Sequence, residues 1–385
     1  MRHHVLLVPG FLGFGRLGDL PYFNGVSQVL VDSCKRLGLD VTVSEVPTLP
    51  TASIRRRAAQ VVETLALVAA KYDGPIHIVG HSTGGLDARV ALAPTASLPT
   101  KVDFKDRQRV RTLLTVACPH FGTPAAAYLL SGAGRRVFRA TLRTLIWLLA
   151  HSRLLKLTLF GLRFLLHLRH PFRSETTLAR LDQQLLGELG VARRLELSAF
   201  LESIGSDQAL FFQLTPEVCD LLNACTADPE LRYGSVVTRA ARPSFRDFLR
   251  SLRDVYAQLS YPLYAWLYRA TSRQESRWIP APVTAQARKL VESYGALPAP
   301  EDNDGIVPTN SQIWGEVVHA ASGDHLDVVG QFAEPDWLPS YSGFDQRAFE
   351  ALWMDVARFI ASSVEVAPDN VGTQRTESDM PNPTS

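Results

Sequence analysis

"PIHIVGHSTGGL", residues 75–86, sets a serine between glycines directly after a short apolar run. Ile76, Ile78 and Val79 are the β-branched residues of a buried parallel strand. Gly80, Ser82 and Gly84 follow at once, and Leu86 onward reads as a helix. A serine on a tight strand-to-helix turn is held in a strained backbone that presents its hydroxyl. Glycines two before and two after it let neighbouring segments pass closely. The G-x-S-x-G spacing therefore makes Ser82 a candidate nucleophile. The competing reading is a glycine-rich turn with an ordinary capping serine, so the rest of the chain must supply partners.

The surrounding sequence alternates strand and helix. His4–Val8 reads as a strand, Gly25–Leu37 as a helix, Asp40–Val46 as a strand and Ile54–Lys71 as a helix. Ile76–Val79 is the next strand, Leu86–Ala93 a helix and Val110–Ala117 a strand. Such alternation predicts an α/β fold, a mostly parallel central sheet with helices on both faces. Ligands gather at the C-terminal ends of such strands. The loops "PGFLGFG" (residues 9–15) and "CPHFGTP" (residues 118–124) fall there, beside Ser82.

The pattern then breaks. Between Gly132 and Arg173 stand nine basic residues and no acidic one, against a net charge of +2 for the whole chain. Arg135, Arg136, Arg139 and Arg143 share one arc of a helical wheel, and Lys156, Arg163 and His167 another. The longest uncharged run, Thr144–Ser152, is about half the ~18 residues a membrane span requires. Two readings stay open: cap helices packed inward, or a cationic amphipathic lid that touches an anionic membrane or lipid surface. Arg180–Leu222 continues largely helical, and Arg246–Ala270 reads as a helix interrupted by Pro262. Strand signals return at Ile306–Val307 and Glu316–Ala320, before a closing helix over Asp345–Ser362. The expected organisation is a core at 1–128 and 271–365, a large helical cap or lid at 129–270, and a disordered tail at 366–385.

Near-neutral charge gives no field that would favour nucleic acid. Cys34, Cys118, Cys219 and Cys225 lack metal-site spacing, and free thiols are expected. The N-terminal apolar run, Val5–Val8, is shorter than the core of a secretory signal. The expectation is a cytoplasmic protein, with peripheral membrane contact and non-Sec export left open.

A serine hydroxyl needs a general base and a group that orients it. In sheets of this kind the acid precedes the base, which follows the last strand. His3, His4 and His77 precede Ser82, and His81 is its neighbour. His120, His151, His167 and His170 precede the completing strands. His319 lies inside the apolar run "GEVVHA" and reads as a strand residue, whereas His325 in "SGDHLDVV" follows on a loop. His325 is therefore the candidate base. "EDNDGIVPTNS" (residues 301–311) offers Glu301, Asp302 and Asp304 as acids. Asp304 is preferred beside Gly305, with Asp302 its rival. Oxyanion donors are expected at the amide of Thr83, just after the serine, and of Phe11 in the first loop.

Several motifs now stand in order: "VPGFLGF" (8–14), Tyr22-Phe23, Ser44-Glu45-Val46, "GHSTGG" (80–85), "ACPHFGTP" (117–124), "LTPEVCDLLNA" (214–224), "NDGIVP" (303–308) and "DHLDVVGQ" (324–331). In these the chain resembles the bacterial true lipases of the α/β-hydrolase superfamily, the Pseudomonas and Burkholderia triacylglycerol lipases. The resemblance covers most of residues 4–332 and is weakest between Leu129 and Leu210. It implies an α/β-hydrolase fold and hydrolysis of lipid-like acyl esters through an acyl-serine. Ser82, Asp304 and His325 would form the triad, with Phe11 and Thr83 as oxyanion amides. It also implies a structural calcium held through Asp327 and Gln331; the chemistry itself requires no cofactor.

Three departures accompany the resemblance. Pro9 stands where the family has histidine, no aspartate lies between Ala281 and Arg288, and no cysteine follows Cys225 to close the family's disulfide. An intracellular carboxylesterase, thioesterase or polyester depolymerase shares the same chemistry and remains the alternative. The other-class alternative is a non-catalytic membrane-binding module on the same fold.

Overall fold

The computed structural model describes residues 2–11, 16–17, 20–132, 209–226, 231–244, 255–273, 279–331 and 343–365. The basic stretch from Arg135 through His167 and the tail at 366–385 lie outside them, as do the expectations placed there.

Among the described residues six parallel strands make the sheet: β1 (His3–Val8), β2 (Val41–Glu45), β3 (Ile76–His81), β4 (Val110–Val116), β5 (Arg232–Thr238) and β6 (Glu316–Ala321). Their order is β2-β1-β3-β4-β5-β6. Strand β1 is buried along its whole length, and its side chains divide by the two-residue period of a strand. Val5 and Leu7 enter one apolar cluster with α1 (Val26–Arg36) and α9 (Gln346–Glu365). Leu6 and Val8 enter another with α2 (Ile54–Lys71) and α3 (Thr83–Leu92). Both faces of the sheet are covered, so its strands carry nearly continuous apolar runs.

Register fixes where the functional loops emerge. Val8 pairs with Gly80, His81 with Val116, Val116 with Val236, and Thr238 with Ala321. The C-terminal ends of β1, β3, β4, β5 and β6 are thus level. The segments that follow them, including Gly10, Ser82, His120 and His325, issue from one edge of the sheet.

Among the described residues the remaining α-helices are α4 (Pro124–Leu130), α5 (Ala209–Gln213), α6 (Pro216–Cys225), α7 (Val255–Thr271) and α8 (Thr284–Tyr294). Leu290 of α8 packs with Val237, Ile313 and Val317 at the β5–β6 end of the sheet. All four cysteines are free thiols. Among the described residues no helix is long and apolar enough to cross a membrane.

Three expectations about elements are corrected. The sheet resumes at β5, Arg232–Thr238, within residues assigned above to the helical cap. "RYGSVVT" has no long apolar run, because Gly234 must stay small: a Cβ there would lie 2.8 Å from both Phe359 and Val318. Pairing to β4 and β6 makes it a strand where its own pattern does not. Ile306–Val307 is not a strand. Its amides donate to the Asp304 carboxylate at 3.0 and 2.8 Å, so they are unavailable to a ladder. Helix α7 runs unbroken through Pro262. Burial of Tyr261, Ala265 and Tyr268 around it outweighs the hydrogen bond that proline removes.

Candidate active site

Ser82 stands at the N-terminus of α3 with φ 54° and ψ −131°, a left-handed backbone that costs a non-glycine residue about 1–3 kcal/mol. The turn is held from both sides. The Ser82 amide donates to Val116 O at 2.8 Å, and Gly85 N donates to Ser82 O at 3.1 Å. The flanking glycines are needed for space. A Cβ on Gly84 would meet Val8 O at 2.2 Å, and one on Gly80 would meet the Gly85 backbone at 2.6 Å. The amide of Thr83 opens a ten-residue helix whose dipole favours negative charge at this end.

His325 and Asp304 meet directly. His325 Nδ1 donates to Asp304 Oδ2 at 2.8 Å, and the His325 amide donates to Asp304 O at 3.0 Å. Oδ2 also accepts from the Thr238 hydroxyl at 2.8 Å and the Gln312 carboxamide at 3.2 Å, while Oδ1 takes the two loop amides. A carboxylate so supplied with donors is fixed in orientation, and it leaves His325 Nε2 as the ring's acceptor. The imidazole lies 4.8 Å, centroid to centroid, from the ring of His81, the residue preceding Ser82.

The rival residues go elsewhere. Asp302 pairs with Arg242 at 2.9 Å and Arg239 at 3.7 Å, and its other contact caps Ala299 N. His319 lies on edge strand β6 and bonds Asp355 of α9 at 2.8 Å. His120 is fully buried, bonded to the Thr115 hydroxyl and stacked on Trp314 at 5.1 Å. Burial holds its proton affinity far below that of an ordinary imidazole, with the nearby Arg89 cation adding to the effect.

The first loop is gripped by a residue that sequence reasoning missed. Arg57 of α2 donates through Nη2 to Pro9 O at 2.8 Å, to Gly10 O at 3.0 Å and to the Thr83 hydroxyl at 3.4 Å. Its Nη1 reaches Leu49 O, and its Nε bonds Asp87 of α3 at 2.8 Å. One guanidinium thus ties together the two segments that carry the Phe11 and Thr83 amides. The signal was present: Arg57 occupies the stripe of α2 that otherwise reads Ile54, Ala58, Val61 and Leu65. A cation on such a stripe needs a buried partner. The Phe11 ring meets Phe211 of α5 edge to face at 5.1 Å.

Asp327 and Gln331, the calcium ligands that the resemblance implies, both take part in hydrogen bonds around the loop after His325. Asp327 Oδ2 accepts from Asp324 N at 2.8 Å. Gln331 Nε2 donates to Pro21 O at 2.9 Å and Tyr22 O at 3.2 Å. Among the described residues no three His, Cys, Asp or Glu side chains gather to hold a metal ion. Both side chains act as braces of the loop after His325.

Comparison with known proteins bears on the same region. Residues 52–152, which include Ser82, match a family model described as "Putative serine esterase (DUF676)". A triacylglycerol lipase of Vibrio cholerae is 34% identical over 105 residues, 26% of this chain and 31% of that protein. The chain thus aligns with about a third of the length of this curated relative. Among solved structures, Staphylococcus hyicus lipase superposes with a TM-score of 0.51 at 14% identity, over 94% of this chain and 96% of that one. Lipase 1 from Pelosinus fermentans gives 0.51 at 18% identity, over 93% and 98%. The level strand ends, the strained serine turn and these superpositions lead to one conclusion: the chain has the α/β-hydrolase fold.

Proposed function

We propose that the protein is a serine esterase that cleaves lipid-like acyl esters through an acyl-Ser82 intermediate. The observation that carries this reading is the His325–Asp304 contact, its carboxylate fixed by four further donors, on the sheet edge from which the strained Ser82 turn emerges. Ser82 Oγ attacks the ester carbonyl as His325 Nε2 takes its proton, and the carbonyl oxygen becomes an oxyanion facing the Phe11 and Thr83 amides. Collapse expels the alcohol, which leaves with the proton held on His325. Water then attacks the acyl-serine, again giving its proton to His325, and the acid departs as Ser82 is restored. Asp304 keeps the imidazole in the tautomer with its proton on Nδ1 and stabilises the imidazolium that forms in each half-reaction.

The matched family description and the lipase relative support ester hydrolysis. The motif resemblance to the Pseudomonas and Burkholderia lipases, together with the Phe11–Phe211 aromatic pair beside the oxyanion loop, supports an acyl rather than a small polar substrate. Contact of the basic cap with an anionic lipid surface belongs to the same proposal, and no step of it is routed through calcium. The test is labelling by a fluorophosphonate, with hydrolysis of p-nitrophenyl esters of rising chain length. Labelling lost in Ser82→Ala and a rate optimum at medium or long acyl chains are expected. Labelling that survives Ser82→Ala overturns the mechanism, and a sharp optimum at acetate overturns the lipid-like substrate.

A further inference from the structure

Tyr22 and His81 sit between the oxyanion loop and the histidine loop, and their hydrogen bonds run in one direction. Gly10 N–H meets Tyr22 Oη at 2.9 Å, Tyr22 Oη meets His81 Nδ1 at 2.7 Å, and His81 Nε2 meets His325 O at 3.0 Å. The carbonyl of His325 can only accept, so Nε2 of His81 carries the ring proton. Nδ1 then holds a lone pair, the Tyr22 hydroxyl donates to it, and the hydroxyl oxygen accepts from Gly10. The reverse tautomer would set two lone pairs against each other in a space that water does not reach, since His81 is only 1% exposed. Burial also keeps this imidazole neutral, its proton affinity well below the ordinary value, with the neighbouring His325 as the second cause.

We propose that Tyr22 and His81 are positioning residues, whose directed chain from Gly10 N–H to His325 O sets the oxyanion loop and the base in register on either side of Ser82. The proposal rests on the esterase reading above. Gly10 directly precedes Phe11, whose amide faces the oxyanion, and His81 directly precedes Ser82. The chain therefore touches the backbone at or next to each of the proposed reacting parts.

A second set of contacts anchors Tyr22 from the far side. Gln331 donates to the carbonyls of Pro21 and Tyr22. Asn24 N donates to Val329 O at 2.8 Å, and the Asn24 carboxamide donates to Gly330 O at 2.9 Å. Gly330 sits at φ 87°, and a Cβ there would fall 1.9 Å from Asn24 O. The backbone of the Tyr22 segment is thereby fastened to the loop after His325, while its hydroxyl reaches across to the oxyanion loop. Gln331, which the lipase resemblance offered as a calcium ligand, serves this brace through its Nε2.

Tyr22→Phe removes one oxygen and keeps the ring packed on Phe23 and His81, at 5.0 and 5.7 Å. Misplacement of reacting groups lowers turnover without weakening binding, so kcat should fall about tenfold to a hundredfold with KM nearly unchanged. The rate of fluorophosphonate labelling should fall by the same factor, measured well below the melting transition of the variant. Nitrogen-15 NMR of the histidine rings supplies a readout that needs no variant: His81 of the wild-type protein should show a protonated Nε2 and bare Nδ1 between about pH 5 and 8. In Tyr22→Phe that tautomer preference should weaken. Wild-type labelling with unchanged kcat in Tyr22→Phe, or a His81 ring protonated at Nδ1, overturns this inference and leaves the esterase reading standing. Failure of the wild-type protein to label at Ser82 overturns the esterase reading and, with it, the positioning role.

Discussion

Arg57 and Asp87 face each other at 2.8 Å with neither side chain exposed. Burial pushes the Asp87 carboxyl up to about 6, and the guanidinium beside it pulls the other way. Such a pair is a poor source of net stability, but it is expensive to break, since the survivor is left charged in a dry interior. Here the cation also serves the carbonyls of Leu49, Pro9 and Gly10. Arg57→Met should therefore lose about 3–5 kcal/mol in chemical denaturation. Arg57→Lys keeps the charge but not the fork that reaches several acceptors at once. It should fold, with kcat reduced about tenfold or more because the loop that carries the proposed oxyanion amide of Phe11 is less firmly placed.

The proposed acid and base each have a rival close in sequence, and the contacts make opposite predictions for them. Asp304→Asn keeps the shape but offers His325 an amide in place of a carboxylate, so kcat should fall by about 10⁴. His325→Ala should be at least as damaging. Asp302→Asn weakens pairs with half-exposed arginines, and His319→Ala breaks a partly exposed pair with Asp355. Neither pair joins the Asp304–His325 contact, so neither should change kcat by more than about threefold. Steady-state kinetics on one ester decides all four.

Acid should unfold this protein through histidines that are buried neutral. His77 is fully inaccessible, bonded to His3 and the Thr112 hydroxyl, and burial, with His3 and Arg111 contributing, lowers its pKa to about 3. An unfolded histidine takes up its proton near 6.5, so from there down to about 3 the unfolded state binds more protons than the native one. Stability therefore rises with pH across this window, by about 1.4 kcal/mol per pH unit for one such group. Denaturation midpoints measured from neutral pH downward should show that slope, and His77→Gln should make it shallower. A slope unchanged by the substitution would place the acid sensitivity in other groups.

Ser82 stores strain that glycine would not. Ser82→Gly should abolish turnover and raise the unfolding free energy by about 1 kcal/mol, the relief of the left-handed backbone less the added freedom of the unfolded chain. Paired denaturation curves of the wild type and the variant check this. A fall in stability would mean that the Ser82 side chain carries more packing than its turn suggests.

The serine turn was legible because its geometry is local: a strand, a left-handed residue and two glycines at fixed offsets. The meeting of His325 with Asp304 was legible through chain order, since parallel topology dictates which strand ends can meet. Arg57 and Asp87 lie 30 residues apart, and Tyr22 and His81 lie 59 apart. Nothing in either segment alone shows what the other brings. Strand β5 escaped notice for a related reason, since Arg232, Gly234 and Ser235 hold their places through neighbours on both sides rather than through an apolar run. The Asp304 loop was read as a strand because Ile306 and Val307 are β-formers, although its carboxylate had already claimed their amides.

The brace between Asn24 and Gly330 joins residues 306 positions apart, and that between Pro21 and Gln331 spans 310. Closing so long a loop adds little thermodynamic cost, about 0.6 kcal/mol for each doubling of length. Its consequence is temporal. During synthesis β1, β3 and β4 exist, with the serine turn between them, long before the segment that carries His325 and its braces emerges. Contacts of such separation form late. On the proposed mechanism the nascent chain therefore displays its nucleophile without its base, and reactivity would come only when the two distant parts of the chain close on each other.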